Sequence, residues 1–267
     1  SGNGRCNVTN DCPCQDLLQS VPTNPRFLYS ALAGFSPADA KKFFEDYGCA
    51  LKTERGNRVF PVSDRSQSVL DALERFLRAY HVRILPRKAA EIAVSDGRVT
   101  GVKTAEGPVP ADCVVLATGG LSYPATGSTG SGYAMAQAIG HTIIEPTGSL
   151  VPLVEKGHDC AKMQGLALKN IAVKLVNTKG KTVYEDFGEL LFTHFGLSGP
   201  VILSASAHMA RGEAGYTVRI DLKPALDEKT LDARIPRDFS AAHNRDFETS
   251  PSALLPRSMI PVAIARS

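Results

Sequence analysis

Residues 113–141 read CVVLATGGLSYPATGSTGSGYAMAQAIGH, and this stretch decides the fold. Cys113, Val114, Val115, Leu116 and Ala117 form a continuous apolar run, the pattern of a short strand buried on both faces. The run stops at Thr118-Gly119-Gly120, where the missing Cβ atoms let backbone amides approach a phosphate or a flat ring. A second cluster, Gly127-Ser128-Thr129-Gly130-Ser131-Gly132, opens a helix of small residues expected from Tyr133 to Ile139 and closed by Gly140. Strand, two glycine loops and a helix N-terminus together predict an anion-binding edge of an α/β domain. Glycine also serves plain turns, so the pattern alone names no ligand.

Working upstream, Ala89–Val94 and Arg98–Thr104 flank a Ser95-Asp96-Gly97 turn, and Glu106-Gly107 marks another. Two tight turns joining short strands predict a β-meander that feeds into the Cys113 strand. Val82–Leu85 reads as a further strand. By analogy, two-dinucleotide-domain flavoproteins cover one sheet face with such a meander and pack an Ala-Thr-Gly turn on the cofactor. Farther upstream, Ser36, Pro37 and Asp39 give a capping box, and Gly48 ends the helix that it starts. Val69, Leu70, Leu73, Phe76, Leu77 and Tyr80 lie at helical spacing in a second helix over 66–80, with core roles. Between the helices, Arg58–Pro61 leaves a Gly56-Asn57 turn as a short strand.

Downstream of Pro146 the texture changes. Asn170–Val176 and Lys181–Phe187 alternate around Thr178-Lys179-Gly180 as a hairpin does. Leu190–Thr193 reads as another short strand, Ser198-Gly199-Pro200 starts a helix over 201–209, and Tyr216–Leu222 alternates again. From Asp227 a helical tail follows that Pro236 interrupts, and Thr249–Ser267 shows no closing element. These shifts divide the chain into 1–147, a mostly antiparallel unit over 148–222, and a helical segment over 223–267.

Composition narrows the function classes. The 267 residues carry 30 Lys+Arg against 27 Asp+Glu, too balanced for a basic nucleic-acid groove, so neither nucleic acid nor flavin-dependent RNA modification is expected. No apolar run reaches the length of a membrane helix. Six cysteines without disulfide-framework spacing suit a reducing cytoplasm. Cys12-x-Cys14 lacks a nearby histidine, so no metal is expected. Gly196-Leu197-Ser198-Gly199-Pro200 is not a hydrolase elbow, because Pro200 stands where the second glycine must be.

SGNGRCNVTN (1–10), GNRVFPVSD (56–64), VVLATGGLSYPATGSTGSGY (114–133) and LLFTHFGLSGPV (190–201) together resemble the bacterial FAD-dependent, BaiN-like flavoprotein family, of the aminoacetone oxidase and 3-dehydro-bile-acid reductase type. The resemblance implies an α/β fold: a two-dinucleotide-type FAD-binding domain carrying an inserted β-barrel-like domain and a helical subdomain. It further implies that Ser1, Gly2, Asn3, Gly4, Arg5, Cys6 and Asn7 wrap the pyrophosphate and flavin. Ala117, Thr118, Gly119, Gly120, Ser122 and Tyr123 would line the cofactor, Thr126, Gly127, Gly130 and Gly132 would continue that wall, and a backbone group at Ala89 would meet the adenine. The implied activity is hydride transfer between the flavin and a small amine or unsaturated carbonyl compound, with NAD(P)H as a candidate electron donor.

The family pattern also begins with a strand and a G-x-G-x-x-G turn and ends with a second glycine-rich flavin segment. Gly2-x-Gly4 has no strand before it, and Gly127, Gly130 and Gly132 have a different spacing. The expectation is therefore a piece trimmed at both ends of the site that alone binds FAD weakly or not at all. The competing class is a flavoprotein-derived binding module without catalysis. Arg5 reads as a phosphate or flavin contact, although the opening decapeptide, taken without context, reads more readily as a loose terminus. Cys6 reads as packing beside the cofactor loop, with a redox role as the sharper alternative. His194, in Phe192-Thr193-His194-Phe195-Gly196, is the candidate proton donor or relay, against a hinge histidine bonded to backbone.

Overall fold

The structure, a computed structural model, describes residues 4–241 and 250–266. The chain forms two compact units, Ser1–Glu145 and Pro146–Ser267.

In the first unit, β1 (Thr9–Asn10), β2 (Leu51–Glu54) and β3 (Arg58–Pro61) make an antiparallel sheet in the order β1-β3-β2. Helices α1 (Cys14–Gln19), α2 (Tyr29–Gly34), α3 (Pro37–Asp46) and α4 (Gln67–Ala79) accompany it, and α3 packs on β1, β2 and α4. The expected capping box holds: the Asp39 N–H donates to Ser36 Oγ at 3.2 Å, and the Ser36 N–H donates to Asp39 Oδ2 at 2.8 Å. Rings of Phe43, Tyr47, Phe76 and Tyr80 interlock between α3 and α4, with centroids 4.9–5.3 Å apart, a spacing that favours edge-to-face contact. Only part of the expected apolar face of α4 is buried. Val69 and Ala72 join Cys49 in the core, whereas Leu70 is 51% exposed and Leu73 and Tyr80 are also exposed. Helical period marks a stripe but not how wide a partner covers it.

The meander follows as expected: β4 (Ala89–Ser95), β5 (Arg98–Thr104) and β6 (Gly107–Pro110) pair antiparallel in chain order. Two expected strands are absent. Val82–Leu85 is irregular and exposed. Cys113–Ala117 is also irregular, with Cys113 exposed and Val115 90% exposed. An apolar run becomes a strand only when neighbours accept its amides and carbonyls. Among the described residues every paired strand is antiparallel and none pairs with 113–117. The helix beyond the glycine loops does form, as α5 (Ser131–Ala138), and it packs against β4.

The second unit is built on β7 (Leu153–Val154), β8 (Ala167–Val176), β9 (Thr182–Phe192), β10 (Gly196–Ser198) and β11 (Thr217–Asp221). They form one antiparallel sheet in the order β11-β8-β9-β10-β7. The β8–β9 hairpin is longer than expected, because the separate strand foreseen at Leu190 is the end of β9. Between β7 and β8 lies α6 (Asp159–Lys162). Helix α7 (Pro200–Ser206) presses Val201 and Ile202 onto Ile171, Val173, Leu190 and Phe192, and each such buried side chain contributes about 1.5–3 kcal/mol. Ser206, buried among them, is satisfied: its Oγ donates to the Leu203 carbonyl at 2.8 Å and accepts from the Val151 N–H at 2.9 Å.

The tail departs from expectation. Helix α8 (Glu228–Ala241) continues through Pro236, capped by Asp227, whose carboxylate accepts the Thr230 N–H at 2.7 Å. A further helix follows that the sequence pattern did not mark. Helix α9 (Ile260–Arg266) buries Ile260 and Val262, and Arg266 pairs with Asp159 at 2.7 Å. Weak periodicity hid α9, since its anchor is a few buried side chains and one long-range ion pair. Thr249 lies outside the described residues.

Candidate functional site

The two glycine clusters of 113–141 fold onto each other. The Gly130 N–H donates to the Gly120 carbonyl at 3.1 Å. A Cβ on Gly130 would stand 2.5 Å from Leu121 Cδ2, and one on Gly132 would overlap Thr118 Oγ1. Close packing of loop on loop therefore requires glycine there, which is the plain-turn role of the motif. Gly127 differs: it has φ +98° and open space where a side chain would be. Around it, the Thr126 hydroxyl donates to the Tyr123 carbonyl at 2.8 Å, and Ser122 and Tyr123 are exposed, the latter by 70%. Ala117, Thr118 and Gly119 are exposed too.

Helix α5 starts at this loop with Gly130 as its cap, and no side chain accepts its first amides. An uncapped helix start carries partial positive charge and suits an anion. The strand against α5, β4, begins at Ala89, which pairs with Thr104; a register shift between Ala89 and Glu91 then interrupts the ladder.

The amino-terminal loop is fixed by its neighbours. Ser1, Gly2 and Asn3 lie outside the described residues. Gly4, at φ +84°, has open space around it, and its carbonyl accepts the Ser66 N–H at 2.8 Å. Cys6 has φ +63° and packs against the Cys49, Val69 and Ala72 core, the packing role expected of it. The Asn7 amide, in the orientation that satisfies both its atoms, donates to the carbonyls of Val59 and Thr9 at 3.1 and 3.0 Å.

Arg5 is not an open cation. Its Nη2 donates to Glu54 Oε1 at 2.6 Å, its Nε lies 2.9 Å from Asp64 Oδ1, and its guanidinium sits 4.1 Å from the centroid of Phe60. The hydrogen bond to Glu54 raises its pKa, while the Lys52 ammonium, with Arg5, lowers that of Asp64. Sequence reasoning missed Glu54, Asp64, Lys52 and Phe60 as parts of this loop. The only signal was the alternation Lys52-x-Glu54 on one strand face, which marks a charged face but not its partner.

In the second unit, His194 is exposed in the β9–β10 turn. Thr193 and Gly196 close that turn, with the Thr193 hydroxyl donating to the Gly196 carbonyl at 2.9 Å. Its described contact is the Phe195 ring, edge-on at 4.9 Å. The same unit holds an apolar cavity of about 650 Å³ lined by Leu226, Leu231, Ile235 and Leu254. No helix among the described residues is long and apolar enough to cross a membrane.

Comparison with known proteins identifies this framework. Residues 1–206 match the HI0933-like protein Rossmann domain, and residues 147–267 match the HI0933-like protein barrel and H2TH domain. The expected α/β fold, with a dinucleotide-type domain, a barrel-like domain and a helical part, thus holds. A 3-dehydro-bile acid delta(4,6)-reductase of Clostridium scindens is 31% identical over 98% of this chain and 63% of its own length. The ribosomal RNA dihydrouridine synthase of Escherichia coli is 30% identical over 97% of the chain and 62% of its own length, and that of Haemophilus influenzae 29% identical over 97% and 63%. The chain therefore spans less than two thirds of the length of these curated relatives. On the extent of both domain matches, the chain belongs to the HI0933-like family of BaiN-like flavoproteins.

Proposed function

We propose that the protein is an FAD-dependent oxidoreductase that reduces a carbon–carbon double bond conjugated to a carbonyl group, with NAD(P)H as electron donor. The observation that carries this reading is the family match over residues 1–206, joined to what the relatives' names say. A delta(4,6)-reductase acting on a 3-oxo steroid and an enzyme that makes dihydrouridine both saturate an alkene conjugated to a carbonyl. Amine oxidation, the other expected activity, has no counterpart in those names.

A flavin, when bound, supplies the hydride chemistry, and the protein supplies binding, orientation and exclusion of water. The residues present fit such a group: the open backbone at Gly4 and Gly127 and the uncapped start of α5 suit a pyrophosphate. In this reading Ser1–Gly4, Cys6, Asn7, Ala117–Gly120, Ser122, Tyr123, Thr126–Gly132 and the backbone at Ala89 line the cofactor, while Arg5, expected as a phosphate or flavin contact, is turned to Glu54 and Asp64. His194 is carried as the candidate proton donor. Six free thiols accord with a cytoplasmic location.

A second reading, reduction of uridine within ribosomal RNA, is favoured by two relatives despite the near-balanced charge of the chain. The test is anaerobic reduction of the purified full-length protein, followed by reoxidation monitored through the flavin absorbance band. Rapid reoxidation by a small enone supports the small-molecule reading. Reoxidation only by a uridine-containing rRNA fragment supports the second. Reduction of the oxidised protein by an amine, with neither acceptor turned over, overturns both.

A further inference from the structure

We propose that Arg5 is a positioning residue: it latches the amino-terminal loop, residues 4–8, onto the β2–β3 hairpin, and this latch sets flavin affinity without touching the cofactor. The proposal rests on the flavin reading for its ligand but on local geometry for the latch. Arg5 reaches Glu54 at 2.6 Å and Asp64 at 2.9 Å, while Lys52 reaches Asp64 at 2.6 Å and Glu54 at 3.6 Å. Two cations and two carboxylates thus form a closed network of zero net charge. A phosphate approaching Arg5 would meet both carboxylates at the same time, and like charges at such range repel.

What the network does hold is the loop. The Arg5 guanidinium carbon sits 4.1 Å from the ring centroid of Phe60 in β3, and the loop is pinned on either side by the Ser66 N–H to the Gly4 carbonyl, and by the Val8 N–H to the Val59 carbonyl at 2.9 Å. Between these anchors Cys6 adopts a left-handed backbone, φ +63°, which a residue with a Cβ keeps only when its surroundings impose it. Arg5, next to Cys6, is the charged clamp that imposes it. One exposed ion pair would contribute little, but Arg5 and Lys52 each reach both carboxylates, and a network shared in this way holds its members in place.

The two roles for Arg5 predict opposite signs in one experiment on the full-length protein. If Arg5 gripped phosphate, the double variant Glu54→Gln/Asp64→Asn would free its charge and FAD would bind at least as tightly as to the wild type. The latch predicts weaker binding for that variant and for Arg5→Met alike, by about tenfold if the ordered loop falls to about a tenth of the population. Arg5→Lys, which keeps the charge, should recover part of the loss. FAD affinity is read by flavin fluorescence, and loop order by hydrogen exchange at the Val8 and Ser66 amides without FAD. Unchanged or tighter FAD binding by the double variant overturns the proposal. Should the wild type bind no FAD, the flavin reading fails on its own. The latch is then upheld by lost protection at Val8 and Ser66 in both variants, and overturned if protection is unchanged.

Discussion

Replacing Gly199 with alanine should unlock α7 from β9. Gly199 precedes α7 with φ +98° and ψ 167°, a region that is essentially restricted to glycine. A Cβ there would stand 2.8 Å from Leu190 Cα, 3.0 Å from Leu191 N and 3.1 Å from Glu189 O, all of them backbone atoms with little freedom to move. The dihedral strain costs about 1–3 kcal/mol, and displacing a packed helix start costs about 1–3 kcal/mol more. The sum, about 4 kcal/mol, is a large share of the roughly 5–15 kcal/mol that holds a typical domain together.

Gly180→Ala is the control. Its φ of +77° sits in the β8–β9 turn with nothing within 4 Å of a new Cβ, so left-handed strain alone should cost about 1–2 kcal/mol. The chain has no tryptophan, so hydrogen exchange at the β8 and β9 amides is the better local probe. At tenfold per 1.4 kcal/mol, Gly199→Ala should exchange roughly a hundredfold faster than Gly180→Ala. Equal protection in the two variants would refute the close-approach argument.

Three further outcomes are expected. Ser36→Ala removes the α3 cap and should cost about 1 kcal/mol in urea unfolding, whereas an unchanged midpoint would show that the box is idle. Bonds from Ser36 to Asp39, from Lys41 to Asp11, from Lys103 to Glu91 and from Lys162 to Asp159 all lower the carboxyl pKa values below their ordinary 3.8 or 4.5. A lowered native pKa contributes stability that is complete above the unfolded value and lost as pH falls through the native one. Urea midpoints should therefore match at pH 7 and pH 6 and drop below about pH 4; a midpoint at pH 3 equal to that at pH 7 contradicts this. Burial, then the Glu155 carboxylate, pushes the Cys160 thiol up to about 12, so alkylation at pH 8 followed by mass mapping should label exposed Cys113 and spare Cys160 until the protein unfolds.

Local signals were legible wherever the cause was local. The Ser36 box, the Asp96-Gly97 turn and the Gly180 turn each fix their own backbone within a few residues, and all three appear where the pattern placed them. The helix after Gly199 was legible too, though its cap is Gly199 itself, because Ser198 pairs with Leu191 in the sheet. Cys113–Ala117 failed for the opposite reason. An apolar run states what a strand needs but not whether a neighbour supplies it. The candidate site divides in the same way. Gly127 was readable as an open loop, while the cancellation of the Arg5 charge depends on residues 49 and 59 positions away, which no spacing announces.

Val115, almost bare, has a further consequence for handling this chain. An irregular segment that leaves aliphatic side chains bare and joins no sheet is adhesive toward any extended peptide it meets. Solubility during synthesis and storage would then be governed by five residues rather than by net charge, and a single lysine at position 115 would act as a gatekeeper against intermolecular sheet growth.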